Sequence, residues 1–191
     1  HILFCKFAPN AFECMKSIKD ISAKPFIKWV GGKTQLLDEV KRSLPSDLGK
    51  RTGLTYVEPF VGGGAVLFWI LQEYPNIERA VINDINAELI CTYRVIKNNV
   101  ETLIDELKHI QSEYIALNSD GRKEYFLTKR LLYNSRKISD IETAALFIFL
   151  NRTCFNGLYR VNSKGEFNVP HGKYTNPKIC DEETLRTDSM L

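Results

Sequence analysis

The sequence predicts an α/β fold in which a short parallel sheet is followed by a helical insert. Residues 54–86 have the pattern of strand, glycine turn, helix and strand, which is the order of a βαβ unit. Residues 88–150 then carry apolar side chains at helical spacing, without a further strand pattern.

The composition agrees with a folded domain and argues against several classes of protein. Hydrophobic residues make up 44% and charged residues 26%, so extensive disorder is not expected. No apolar run approaches the roughly 20 residues that cross a bilayer, so we expect no membrane association. Five scattered cysteines and three scattered histidines favour neither a disulfide framework nor a metal site, and they indicate a reducing cytoplasm. The net charge of +3 permits an acidic partner without requiring one.

The first part of the chain contains the elements of the sheet. Residues 1–14 show neither alternation nor helical spacing, so we expect a non-native or disordered leader there. A helix should follow the glycine pair at 31–32, because apolar residues recur at helical spacing and Pro45 marks the exit. Strands are predicted around residues 56–57 and 79–83, with a helix over residues 65–74 between them.

The second part of the chain contains the insert. A long amphipathic helix is predicted over residues 88–110, followed by a break at residues 118–123. Two further helices should cover residues 124–136 and 141–150, and the apolar run "AALFIFL" in the second favours a buried helix. The stretch "LYRVNSKGEFNV" then predicts a hairpin with Ser163-Lys164-Gly165 at its tip.

The stretch "FIKWVGGKTQLL" resembles the end of a phosphate-binding loop. Such a loop requires Gly-x-x-x-x-Gly-Lys-[Ser/Thr], and Ile27 stands where the first glycine belongs. A nucleotide hydrolase is therefore disfavoured, and a plain turn into a helix is the simpler alternative. Trp29 and Lys33, on either side of the glycines, could instead hold a small zwitterionic ligand.

A second glycine cluster, "EPFVGGG", is more informative. It follows a strand and opens a helix, and Asp84 ends the next strand, which is the layout of a Rossmann-like cofactor site. The Gly-x-Gly-x-x-Gly fingerprint is not complete, because Gly62 and Gly64 fit but Leu67 stands at the third position. This departure favours a nucleoside cofactor without pyrophosphate, such as S-adenosylmethionine, over NAD. A tight turn that binds no ligand stays open as the alternative.

Four motifs in this order resemble the Dam-like, adenine-N6-specific DNA methyltransferases. They are "PFIKWVGGK" (25–33), "VEPFVGGGAV" (57–66), "NDIN" (83–86) and "NRTCFNGLYRVNSKGEFNVPHGKY" (151–174). The resemblance extends from residue 25 to about residue 185. It implies a Rossmann-like, S-adenosylmethionine-dependent methyltransferase fold with an incomplete sheet, a helical target-recognition insert and a β-hairpin.

The resemblance also implies a cofactor site. Lys33 is expected to bind the carboxylate of S-adenosylmethionine, Trp29 to pack on its methionine part, and Asp84 to bind its ribose hydroxyls. The glycine loop beside the cofactor contributes Glu58, Phe60, Gly62 and Gly64. Residues 15–87 would then form the cofactor-binding part of the domain.

Double-stranded DNA is the implied partner of residues 88–175, and residues 176–191 would begin the return to the catalytic domain. Phe155 and Asn156 match wedge residues that fill the gap left by a flipped adenine. Base-edge contacts are implied for Leu158, Arg160, Pro170 and Lys28. Of these, Arg160 and Lys28 are expected to contact a guanine. Phosphate contacts are expected of Arg152, Lys164 and Lys173. The expected target is GATC or a similar site.

The family performs its chemistry with Asp-Pro-Pro-Tyr, and this tetrapeptide does not occur in the sequence. We therefore assign no catalytic residue, and we expect the chain as written to be an inactive fragment of a site-specific adenine methyltransferase. A non-catalytic DNA-binding module is the alternative. A cognate restriction endonuclease in the same system, without direct contact, is compatible with the resemblance.

Overall fold

The computed structural model describes residues 2–6, by their backbone, and residues 22–191. Strands are β1 (Ile2–Lys6), β2 (Leu54–Glu58) and β3 (Ile77–Asn83). The helices are α1 (Leu37–Ser43), α2 (Ala65–Glu73), α3 (Ala87–Ala116), α4 (Ser119–Ser135), α5 (Asp140–Thr153) and α6 (Glu182–Met190). Short 3₁₀ turns are present at Lys33–Leu36, Leu48–Lys50 and Phe155–Gly157.

The sheet has three strands in the order β1-β3-β2. β2 and β3 are parallel, with Glu58 opposite Ile82, which confirms the predicted βαβ unit. β1 pairs antiparallel with the other edge of β3, with Ile2 opposite Asn83. The expectation that residues 1–14 lack regular structure is therefore wrong at Ile2–Lys6, and residues 7–14 lie outside the described residues. A strand edge recruits an extended segment through backbone groups, so no side-chain alternation was needed.

The helical insert is longer and more continuous than its sequence pattern indicates. α3 extends to Ala116 and is kinked at Asn99, where φ is −141° and ψ is 35°. The predicted break after the long helix is confirmed at Leu117 and Asn118, but it is shorter than residues 118–123, because α4 already begins at Ser119. Asn118 is its N-cap, and its Oδ1 accepts a hydrogen bond of 2.9 Å from the Gly121 N–H. Polar residues that look like a loop are here the start of a helix.

The core lies where α3 packs against α5. Residues 144–150 of α5 are all buried, as the run "AALFIFL" predicts, and α3 contributes Leu103, Leu107, Ile110 and Tyr114. A capping box at Ser139 and Glu142 starts α5. Within residues 22–191, none of the helices has the length and apolarity needed to cross a membrane. In that same part of the chain, no cluster of three His, Cys, Asp or Glu side chains could hold a metal ion.

Asp188 of α6 is buried beside a small apolar cavity of ≈ 40 Å³ between α6, α2 and the sheet. Its Oδ1 accepts a 3.0 Å hydrogen bond from the Lys24 N–H, whereas its Oδ2 has no partner among residues 22–191. Removal of this carboxyl from water raises its pKa to about 8, despite the hydrogen bond from Lys24.

We expect this carboxyl to make the protein less stable as the pH rises. The folded-state pKa lies above the unfolded value, so the folded state holds a proton between about pH 4 and 8 that the unfolded state releases. The free energy of unfolding should then fall by a few kcal/mol between about pH 5 and 9, and Asp188→Asn should remove most of that slope. Urea unfolding at both pH values measures the change.

The control is Asp47→Asn. Its exposed carboxylate is hydrogen-bonded to Arg51, which lowers its pKa. It therefore stays ionised across this range, and its replacement should leave the slope unchanged. A wild-type protein equally stable at pH 5 and 9 would contradict the assignment to Asp188.

Candidate functional site

A cavity of ≈ 280 Å³ opens at the carboxyl ends of β2 and β3, where parallel sheets commonly bind ligands. We call it the glycine-lined cavity. Three separate stretches of the sequence meet in it: the Gly-Gly-Lys segment (residues 25–33), the glycine loop (residues 58–64) and Asp84. Its lining consists of Pro25, Ile27, Trp29, Gly31, Gly32, Lys33, Thr34, Phe60, Val61, Gly62, Gly63, Ala65 and Asp84.

Asp84, which follows β3 and lines the cavity, is hydrogen-bonded to the glycine loop that follows β2. Its side chain is buried, with Oδ2 accepting from the Gly62 N–H and Oδ1 from the Asn86 N–H, each at 3.0 Å. Asn86 in turn caps α3, because its Oδ1 accepts from the Leu89 N–H at 2.8 Å. A carboxylate oxygen can accept more than one hydrogen bond, so this group is chemically suited to a ligand hydroxyl.

The glycine loop is shaped by two aromatic side chains. A Cβ added at Gly62 would lie 3.0 Å from the Trp29 indole, and one added at Gly63 would lie 3.1 Å from Trp29 Cβ, so these glycines make room for that side chain. On the far side, the Tyr93 hydroxyl donates to the Gly62 carbonyl at 2.9 Å. Gly64 has φ of 80°, the left-handed region that favours glycine. The small residues thus serve the packing of the loop, in addition to ligand access.

Lys33 is held at the cavity wall by the protein itself. Its Nζ donates to Glu58 Oε1 at 3.0 Å and to the Phe60 carbonyl at 2.6 Å. The Tyr56 hydroxyl donates to Glu58 Oε2 at 2.8 Å, and burial raises the pKa of Tyr56, which keeps the hydroxyl protonated. An ammonium has three donors, so one N–H of Lys33 is left for a ligand. Lys33, which is bound by protein groups, therefore differs from the lysine of a phosphate-binding loop, which contacts the phosphates of a nucleotide.

The predicted cofactor residues therefore divide into two groups. Trp29, Lys33, Phe60, Gly62 and Asp84 line the glycine-lined cavity. The other two, Glu58 and Gly64, do not line it but support it: Glu58 holds Lys33, and Gly64 starts α2.

The predicted DNA-binding residues surround a second feature, the Phe-Asn-Gly turn (Phe155–Gly157). Phe155 is 51% exposed and Asn156 has φ of 55°, so an apolar ring and an amide stand on a tight, strained turn. The Phe155 N–H donates to the Pro170 carbonyl at 2.8 Å, which places Pro170 next to the turn. Leu158, directly after the turn, is half-buried.

The predicted hairpin is present in a reduced form. Val161 and Phe167 form an antiparallel bridge, and the Asn162 N–H donates to the Glu166 carbonyl at 2.9 Å around the expected tip. The pairing is too short to make strands. Exposed Arg160 is held by Asn168, whose Oδ1 accepts from Arg160 Nε at 2.7 Å. This bond fixes the direction of the guanidinium at the surface.

Lys28 and Arg152 lie beside the turn, at a cleft of ≈ 470 Å³ formed with residues 174–178. The stem of Lys28 packs on Gly157, where an added Cβ would lie 2.6 Å from Lys28 Cδ, and its Nζ lies 5.3 Å from the Tyr174 ring centre. Arg152 Nη2 donates to the Phe26 carbonyl at 2.6 Å, and burial lowers the pKa of Arg152. Its expected phosphate contact stays a prediction, as do those of the exposed Lys164 and Lys173.

Several residues that build both features were missed at the level of sequence. Tyr56 and Tyr93 act through single hydroxyl contacts from a strand and a helix, which no motif signals. Tyr159 stacks on Trp29, with ring centres 5.5 Å apart, and lies within the last motif, where its position was a usable signal. Asn151, which was also not assigned to the site from the sequence, is the first residue of the same motif.

Comparison with known proteins identifies the family behind this arrangement. Residues 29–189 match the model of the D12 class N6 adenine-specific DNA methyltransferases. Type II methyltransferase M.MjaIII of Methanocaldococcus jannaschii is 49% identical over 173 residues, which are 90% of this chain and 60% of that protein. Type II methyltransferase M1.LlaDCHI of Lactococcus lactis subsp. cremoris is 44% identical over 172 residues, covering 88% and 55% of the two chains.

A DNA adenine methylase of Haemophilus influenzae is 38% identical over 160 residues, which are 84% of this chain and 51% of that protein. The chain thus spans between half and two thirds of the length of the curated relatives described here. The matched region contains the Phe-Asn-Gly turn and all residues that line the glycine-lined cavity except Pro25 and Ile27. The chain belongs to the family of D12 class N6 adenine-specific DNA methyltransferases.

Proposed function

We propose that the protein is a site-specific DNA methyltransferase that transfers a methyl group from S-adenosylmethionine to N6 of adenine in a short duplex site. In this proposal the chain supplies the cofactor pocket and much of the DNA-reading surface of a Rossmann-like methyltransferase. The observation that carries it is the meeting of Trp29 and Lys33, from the first motif, with Asp84, from the third, in one cavity beside the Phe-Asn-Gly turn.

The donor set of the glycine-lined cavity fits S-adenosylmethionine. Asp84 offers a buried carboxylate for the ribose hydroxyls, and Lys33 offers one N–H to the ligand's carboxylate. Trp29 lines the wall and Phe60, 74% exposed, stands at the rim, so both offer aromatic surface to the apolar parts. When bound, this cofactor supplies an electrophilic methyl group on a sulfonium. The chain's own residues bind and orient it, since positioning carries much of such a transfer.

The Phe-Asn-Gly turn and its surroundings fit a duplex from which one base is rotated outward. Phe155 is the exposed apolar group that can fill the vacated place in the stack. Arg160 and Lys28 present donors suited to guanine O6 and N7, which agrees with a GATC-like site. We assign target recognition to residues 88–175, cofactor binding to residues 15–87, and the return toward the catalytic domain to residues 176–191.

The chemical step needs groups that accept the hydrogens of the adenine amine, because its lone pair is delocalised into the ring. The relatives' family meets this need with Asp-Pro-Pro-Tyr, which is absent from these 191 residues. We therefore assign binding and orientation, and no proton transfer, to the residues of this chain.

The test has two stages. Isothermal titration calorimetry should show binding of S-adenosylhomocysteine to the chain, and a fluorescein-labelled GATC duplex should bind more tightly than a scrambled duplex, with an affinity that falls as salt rises. Transfer of tritium from labelled S-adenosylmethionine is then measured for a chimera in which the chain is continued by the C-terminal part of M.MjaIII. N6-methyladenine in the duplex is the expected product, and label found only in RNA or protein would contradict the substrate.

Arg160→Ala should relax the sequence preference of DNA binding. We expect the free energy of binding to weaken by about 1–3 kcal/mol for the cognate duplex, and by less for a duplex in which the guanine is replaced. Lys164→Ala at the hairpin tip is the matched control, because a phosphate contact should weaken both duplexes equally. An Arg160→Ala protein that keeps its full preference between the two duplexes would show that this side chain reads no base.

A further inference from the structure

We propose that Asn151 is a positioning residue that ties the Gly-Gly-Lys segment to the Phe-Asn-Gly turn, so that cofactor and DNA each bind more tightly when the other is present. The inference rests on the proposed function, which places the cofactor against Trp29 and Lys33 of the first segment, and DNA against the turn and the Lys28 side chain. Asn151 itself touches neither ligand, because it is only 2% exposed at the end of α5.

The side-chain amide of Asn151 bonds both segments at once. Its Oδ1 accepts from the Lys28 N–H at 2.9 Å, and its Nδ2 donates to the Lys28 carbonyl at 2.8 Å. The same Nδ2 donates to the Gly157 carbonyl at 2.9 Å. The Asn151 amide thus pairs with the N–H and the carbonyl of Lys28, as a neighbouring strand would. Its second N–H holds the Gly157 carbonyl at the end of the turn.

Only an amide can make this set of bonds. It requires one acceptor and two donors on a short side chain, and Asn is the residue that has them at this length. Aspartate has the same shape but, when ionised, would turn an acceptor toward two carbonyl oxygens. The complete satisfaction of a buried amide is typical of polar groups that specify one arrangement of their neighbours.

Neighbouring contacts join the same two segments. The Lys28 stem packs on Gly157, and Arg152, next to Asn151, donates to the Phe26 carbonyl at 2.6 Å. Trp29 lines the glycine-lined cavity and also stacks on Tyr159, two residues beyond the turn. A ligand that fixes Trp29 or Lys28 therefore also restrains the backbone at residues 155–159.

The consequence is a coupling free energy between the two sites. Such coupling is reciprocal, so cofactor must raise DNA affinity by the same factor by which DNA raises cofactor affinity. We expect a factor of roughly 5–150, the usual range for coupled sites. In Asn151→Asp this coupling factor should fall to about 2 or less, because the donors to the Lys28 and Gly157 carbonyls are lost.

The experiment measures duplex affinity by fluorescence anisotropy, with and without saturating S-adenosylhomocysteine. The matched control is Asn134→Asp. Asn134 makes an equivalent clamp from α4 to the hairpin, with Oδ1 accepting from the Phe167 N–H at 2.8 Å and Nδ2 donating to the Phe167 carbonyl at 3.0 Å. It contacts neither segment, so its loss should change duplex affinity equally in both states and keep the coupling factor.

Hydrogen exchange in the unmodified chain tests the inference even where Asn151→Asp fails to fold. The duplex alone should protect amides in residues 29–33, beyond its own contact at Lys28, and S-adenosylhomocysteine alone should protect amides in residues 153–159. Protection confined to each ligand's own segment would overturn the role of Asn151, as would equal coupling in wild type and Asn151→Asp. Failure of both ligands to bind would instead refute the proposed function on which it rests.

Discussion

Asp84→Asn should weaken binding of S-adenosylhomocysteine by about two orders of magnitude. Hydrogen bonds to a charged group contribute about 1.5–3 kcal/mol each, and about 1.4 kcal/mol is a tenfold change in affinity. The substitution also places an N–H₂ where an oxygen now accepts from the Gly62 or Asn86 N–H, so the glycine loop loses a support. Isothermal titration calorimetry measures the effect directly.

Glu78→Gln is the matched control for this prediction. Glu78 lies on β3, the strand that Asp84 follows, and its Oε1 likewise accepts from a glycine, the Gly53 N–H at 2.9 Å, but it does not line the glycine-lined cavity. Its replacement should leave the ligand affinity within about twofold. If Asp84→Asn bound the ligand as tightly as Glu78→Gln, Asp84 would be a purely structural group.

Gly64→Ala should be among the most destabilising single substitutions in the described part of the chain. Its Cβ would lie 2.5 Å from the Tyr93 hydroxyl and 2.8 Å from the Phe68 ring, at a φ of 80°. Overpacking costs about 1–3 kcal/mol and a left-handed non-glycine residue about 1 more, so we expect a loss of about 2–4 kcal/mol. For a chain of this length that corresponds to a fall in Tm of about 5–15 °C.

Gly49→Ala provides the comparison for this substitution, because an added Cβ there meets no atom within 4 Å. Calorimetry should show a shift of less than about 0.5 kcal/mol for that variant. Tyr93→Phe tests the other partner, since it removes the bond to the Gly62 carbonyl. A Gly64→Ala protein as stable as Gly49→Ala would contradict the packing of the glycine loop.

The sequence was most informative where periodicity or a turn dictated the structure. The parallel pairing of β2 and β3 and the burial of α5 followed from apolar patterning. The predictions of secondary structure were wrong where the pattern of apolar side chains does not determine the structure. β1 pairs through its backbone, and Asn118 uses one polar side chain to begin α4, where composition indicated a break.

The candidate site was predicted in its parts but not in its construction. Trp29, Lys33 and Asp84 meet in one cavity, as the motifs indicate. The sequence did not indicate that Glu58 acts by holding Lys33, or that Tyr93 supports the loop from α3. Such contacts join residues distant in the chain through one or two atoms, and they leave no periodic pattern to detect.

In the proposed function, the Gly-Gly-Lys segment, the glycine loop and Asp84 together bind S-adenosylmethionine. A crystal structure of the chain with S-adenosylhomocysteine tests it most directly. We predict both ribose hydroxyls within about 3 Å of the Asp84 carboxylate, with the ligand's amino-acid end between Trp29 and Lys33. A ligand bound elsewhere, or one whose ribose faces away from Asp84, would contradict the claim.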